Sequence, residues 1–149
     1  MLIAFWLGKD HILEEIANEA ESLSPPPPTQ LLFNIWMLLL MRGRIEDLKG
    51  ILGKAAPSND RDLFLKAADL MDKDTSDNIL SLIDFKNDKR LMRSLRVGLL
   101  FLDKLLLQGE NKTVIELCDA ILRECRWQDA ILLDERKAWA FLQSMQYDD

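Results

Sequence analysis

The sequence predicts an all-α protein, built as an array of antiparallel helix hairpins. Leu dominates the apolar set, whereas Gly is scarce (six in 149 residues) and β-branched residues are few. Unbranched side chains lose little rotamer freedom in a helix, so this mixture favours helices. Apolar residues also recur at helical spacing in one segment after another, with short polar turns between them. At 149 residues the chain fits one domain, 1–149, and is long enough to bury a core.

The segments resemble one another. "FWLGKDHILEEIANEAESLSP", "LLMRGRIEDLKGILGKAAP" and "LLLQGENKTVIELCDAILREC" each carry an apolar helix end, a Gly, a few polar residues and a second amphipathic helix. Their glycines are Gly8, Gly43 and Gly109, separated by 35 and then 66 residues. The second gap is twice one period, which places a missing turn near residue 75. There "KAADLMDKDTSDNILSLIDF" offers Asp74, Thr75 and Ser76 as a polar turn and N-cap. With Thr75 as the glycine equivalent, Leu13, Leu48, Leu80 and Val114 all fall five residues past a turn.

Taken in order, the first helix ends at a joint stiffened by Pro25–Pro28, since polyproline is extended and lacks helical hydrogen bonds. The segment Leu31–Met41 follows, apolar except for Asn34. As a helix it spans only about 16 Å against roughly 30 Å of bilayer hydrocarbon, and Arg42 and Arg44 close it, so it is no membrane span. Asp84 and Asn87 fall where the second helix of the third unit needs apolar residues, so that helix is short. A final helix, about 127–146, covers the end of the array with Trp127, Ala130, Ile131, Ala138, Phe141 and Leu142, and frays from Ser144 onward.

A helix–turn–helix unit with a period near 34 resembles the tetratricopeptide repeat. The third unit keeps that family's first-helix pattern in Phe64, Ala67, Ala68 and Met71. The second keeps second-helix positions in Leu48, Leu52 and Ala55, and the first a closing Pro25. Trp36 and Leu102 depart from the pattern, standing where the family has small residues that let two helices approach. The resemblance implies a right-handed α-solenoid of about seven to nine helices. An irregular helical bundle is the alternative.

In such a solenoid the first helix of each unit lines a concave face. The corresponding positions are Phe33, Met37, Leu40 and Met41 in the second unit, Leu65, Asp69 and Asp72 in the third, and Leu99, Asp103 and Leu106 in the fourth. Leu32, Ile35, Trp36 and Leu39 would then face the core. Burial within the domain also explains an all-round apolar helix, so the run is either groove or core. The resemblance implies a protein-binding adaptor or chaperone that holds an apolar helix or extended segment of a partner, of the kind that keeps bacterial secretion-system subunits soluble. Met37 and Met41 suit such a groove, because thioether side chains repack around differing anchors. A homodimer sealing its own groove fits the same face. A permanently assembled subunit of a larger complex is the alternative.

The net charge of −6 disfavours nucleic acid and anionic membranes as partners. The local exception is "FKNDKRLMRSLR", where Lys89, Arg93 and Arg96 follow i, i+4, i+7 spacing, with Arg90 beside them. A regulator that binds nucleic acid through this stripe, or a site for acidic lipid, is the outside reading; without interleaved aromatics a solvated face, or a complement to an acidic segment of a partner or a neighbouring protomer, fits better.

Catalytic constellations are missing from the sequence. His11 is the one histidine, and a nucleophilic pair with Cys118 or Cys125 is weaker than the reading of a helix-terminal His and two small core residues. Cys118 and Cys125 would lie about 10.5 Å apart along a helix, too far for a disulfide. Free thiols fit a reducing cytoplasm, and the apolar start lacks the basic n-region of a secretory signal. One His and two Cys do not make a zinc site. Asp72, Asp74 and Ser76 mimic the start of a calcium loop, but Asp77 replaces its Gly and Ile83 its closing Glu. No phosphate-binding glycine loop is present. The sequence therefore predicts a non-enzyme without cofactor or metal.

Overall fold

The computed structural model describes residues 15, 19, 29–73, 78–124 and 127–146, and among them it is all-helical, with no strand. Gly8, His11, Leu13, the Pro25–Pro28 joint, the Asp74–Ser76 turn and Cys125 lie outside the described residues, as do the side chains of Lys89, Trp127 and Ala130. The chain divides into two compact units, Met1–Asp74 and Thr75–Asp149.

The first unit contains α1 (Thr29–Met41), α2 (Ile45–Lys54) and α3 (Asn59–Lys73). Helix α1 touches both of the others and buries Phe33, Ile35, Trp36, Leu38, Leu39 and Leu40. Phe64 of α3 meets the rings of Phe33 and Trp36 edge-on, at centroid distances of 5.1 and 5.6 Å, an orientation that sets ring edge against ring face. The large Trp36 is thus filled around rather than avoided, while the buried Ala67 and Ala68 leave α3 room to approach.

Helix α1 stops at Gly43, whose φ of +66° is open to glycine without strain. The Gly43 N–H donates to Leu40 O at 3.0 Å and the Arg44 N–H to Leu39 O at 3.0 Å, the paired bonds of a Schellman cap. Helix α2 then begins with Glu46 and Asp47 in its first turn and ends with Lys54 in its last, complementing the helix dipole. Its C-terminal carbonyl at Leu52 accepts Arg61 Nε at 2.7 Å, and Ser58 Oγ caps the start of α3 by accepting the Arg61 N–H at 3.1 Å. Lys49 joins α2 to α3 through Asp69 (3.3 Å) and Asp72 (3.1 Å).

The second unit contains a 3-10 turn (Ile79–Leu82), α4 (Asp88–Leu107), α5 (Asn111–Leu122) and α6 (Trp127–Gln146). Among the described residues, the turn is what stands where the second helix of the third repeat is expected. Past Ile83 the chain is tied to α4, because Ser94 Oγ accepts the Asp84 N–H at 2.9 Å. Ile83 also leans on Gly98, where a Cβ would stand 3.3 Å from its Cδ1. Six α-helices and this turn are described, against the seven to nine helices expected.

Gly109 ends α4 as Gly43 ends α1: its φ is +78°, its N–H donates to Leu106 O at 3.1 Å, and the Glu110 N–H donates to Leu105 O at 3.0 Å. Helix α5 buries Asn111, Val114, Cys118 and Ile121 at spacings of three and four. Helix α6 contacts α4 and α5 and buries Leu133 and Ala140. Arg136 and Lys137, on that inner side, pair with Asp103 of α4 and Asp119 of α5. Helix α6 runs to Gln146, the bound expected, with Ser144 Oγ donating to Ala140 O or Phe141 O at 3.0 and 2.9 Å; residues 147–149 of the segment expected to fray lie outside the described residues.

Candidate interaction surface

The residues expected in a concave groove have different surroundings. Phe33 and Leu40 are buried in the first unit and Leu99 is buried as well, so these three are corrected from surface to core. The buried residues of α1 take up most of its circumference, and the strip left open runs through exposed Gln30 and Asn34, half-buried Met37 and exposed Met41, so Phe33 and Leu40 lie on the packed side. Met37, Leu65 and Leu106 are half-buried, and Met41, at the end of α1, is 49% exposed. Asp69 is exposed and paired with Lys49; Asp103 is held by Arg136. Of the residues expected in the core, Ile35, Trp36 and Leu39 are buried and Leu32 is half-buried.

The basic residues of α4 do not form a uniform open stripe. Arg90 is exposed with its Nη1 3.8 Å from Asp84 Oδ2, Arg93 is half-buried and Arg96 is exposed. The distance to Asp84 leaves a loose electrostatic attachment rather than a hydrogen bond.

Among the described residues of the second unit, exposed large apolar side chains gather on the outer side of α6, away from Leu133 and Ala140, with Met92 and Leu107 exposed on α4. Ile131 is 68% exposed, Trp139 55%, Phe141 46%, Leu142 54% and Met145 70%, with Ala138 exposed among them. Ile131, Ala138 and Met145 are one heptad apart, and Leu142 falls between the last two, so they form one stripe along the helix. Sequence reasoning placed Ile131, Ala138, Phe141 and Leu142 against the array; the structure corrects this, turning them outward and Leu133 and Ala140 inward. Both sides of α6 are apolar, so periodicity alone did not choose between them. The signal that could have chosen is ionic. Arg136 and Lys137 accompany the side with Leu133 and Ala140, and they match carboxylates on the two neighbouring helices.

Two carboxylates, Asp134 and Glu135, are exposed on α6 close to the apolar stripe. Glu135 Oε2 is 3.9 Å from Arg136 Nη1, too far for a hydrogen bond. Lys137 is raised above its ordinary pKa by its hydrogen bond to Asp119, as Lys49 is by Asp72. Cys118 is free and buried, and burial pushes its thiol up to about 11, far from a reactive thiolate.

Among the described residues no cluster of three or more His, Cys, Asp or Glu could hold a metal ion, and no helix is long and apolar enough to cross a membrane. Asp72, the first residue of the calcium-like stretch, is instead a partner of Lys49. Compared with known proteins, the chain matches no family model, no curated protein and no solved structure.

Proposed function

We propose that this protein works by binding another protein, as a small helical adaptor or chaperone, and that α6 is its contact face. The exposed stripe of Ile131, Leu142 and Met145, flanked by Trp139 and Phe141, carries this reading. Five such side chains present on the order of 500 Å² of apolar surface, comparable to the largest patches of monomeric proteins, which are often functional.

The repeat reading is supported by the two hairpin turns. The Gly43 and Gly109 caps share their hydrogen-bond pattern, and Leu48 and Val114, placed equivalently after them, are both buried. A groove along α1 has no such support, since Phe33 and Leu40 are already enclosed. The free Cys118 thiol fits a reducing cytoplasm. No catalytic role is proposed for any residue.

A photo-crosslinking amino acid at position 142, with Glu116 on α5 as the control position, tests the proposal in the cell. A discrete adduct from position 142 that is missing from position 116 is the expected result. No adduct from either position would remove α6 as a contact face.

A further inference from the structure

Resting on that reading, we infer that the outer face of α6 receives a basic amphipathic helix of a partner protein. The stripe from Ile131 to Met145 is about 21 Å long, roughly four turns of helix. Ala138 at its middle lets a second backbone approach closely. An extended segment would need a strand edge to satisfy its own N–H and C=O groups, and the described residues contain no strand. A helix satisfies those groups internally and needs only a complementary side.

The charge of the occupant follows from what α6 does with its own charges. Between Ile131 and Met145 the charged residues are Asp134, Glu135, Arg136 and Lys137. Both cations are spent on the inner side, Arg136 on Asp103 and Lys137 on Asp119. Asp134 and Glu135 remain exposed, with Arg136 Nη1 approaching Glu135 only at 3.9 Å, so the outer face is apolar with an excess of negative charge. A second copy of the chain would bring another such face and another net −6, setting like charge against like charge. Acidic lipid and nucleic acid meet the same repulsion. Lys or Arg flanking the partner's apolar stripe would pair with Asp134 and Glu135, and their cations could stack on Trp139 or Phe141.

The test uses two synthetic fluorescein-labelled helices with one shared Leu/Ala stripe, one flanked by Lys and one by Glu, titrated with the full chain by fluorescence anisotropy. The Lys peptide should bind at least about tenfold more tightly than the Glu peptide, a preference that falls with salt. Asp134→Lys with Glu135→Lys should reverse the order, and Leu142→Glu should abolish binding of both, with circular dichroism showing each variant folded. Equal affinities, or a preference that survives the charge reversal, would overturn the inference. If light scattering shows a wild-type dimer that Leu142→Glu dissociates, the occupant is a second copy: the inference fails while α6 stands as a contact face. If neither peptide binds, the chain is monomeric and position 142 gives no adduct, the inference and the proposed function fall together.

Discussion

Arg136 grips Asp103 with two nitrogens, Nε to Oδ1 at 2.7 Å and Nη2 to Oδ2 at 3.0 Å, while Nη1 donates to Leu132 O at 3.0 Å. This fork fixes the rotation of α6 on α4, and with it which side of α6 faces outward. It also takes Asp103, expected as a partner-binding residue, into the fold of the second unit. A Lys cannot reproduce the planar fork. Arg136→Lys is expected to lower the urea unfolding midpoint, by the equivalent of about 1 kcal/mol, because Asp103 is partly exposed and its pairing screened. A double-mutant cycle of Arg136→Met and Asp103→Leu checks this, and additive losses would show that the pair does not couple.

Gly43 and Gly109 make a prediction that separates backbone strain from packing. A Cβ at either position meets no atom within 4 Å, so substitution adds no clash. The positive φ remains, and an L-residue there costs roughly 1 kcal/mol. Gly43→Ala and Gly109→Ala should each lower stability by about that amount in urea denaturation, and Asn, which tolerates the left-handed region, by less than Ala. A larger loss for Ala than for Asn is the outcome to look for.

Cys118 predicts a dependence on alkaline pH. Its folded pKa, raised by burial to about 11, lies above the ordinary thiol value of 9.0 that applies to the unfolded chain. The folded state therefore keeps the thiol proton over a range where the unfolded state loses it. The stabilising contribution is complete below about pH 9 and is lost as pH rises towards about 11. In a Cys125→Ser background, stability should fall across that window, and Cys118→Ala should flatten the slope. Iodoacetamide at pH 8 should label Cys118 slowly in the native protein and quickly in urea, because the thiolate is the reactive form.

The helices were legible because their signals are local. The turn at Gly43, the acidic start of α2 and the 3.6-residue periodicity of α5 are written within one or two turns of sequence. The short 3-10 turn at Ile79–Leu82 was legible too, through the polar Asp84 and Asn87 that follow it. The surface was not legible, since the rotation of a helix apolar on two sides is decided by its neighbours. For α1 the deciding neighbour is Phe64, which draws Phe33 inward. For α6 it is the pair Asp103 and Asp119, 33 and 18 residues upstream of Arg136 and Lys137, separations that periodicity cannot report.

Leu39 and Leu142 are chemically identical and have opposite surroundings, which makes them the sharpest check on which apolar residues form the core. Leu39 is fully buried in α1, so Leu39→Ala leaves a cavity and should cost about 2–5 kcal/mol. Leu142 is 54% exposed on α6, so Leu142→Glu should change stability by no more than about 0.5 kcal/mol. The two substitutions should also differ in binding of an apolar dye. Leu142→Glu should reduce it by interrupting the exposed stripe, whereas Leu39→Ala should increase it as the first unit loosens. Urea denaturation with dye fluorescence on the same samples reads both effects. A severe loss of stability from Leu142→Glu would mean that the side of α6 assigned here to a partner is packed within the protein itself.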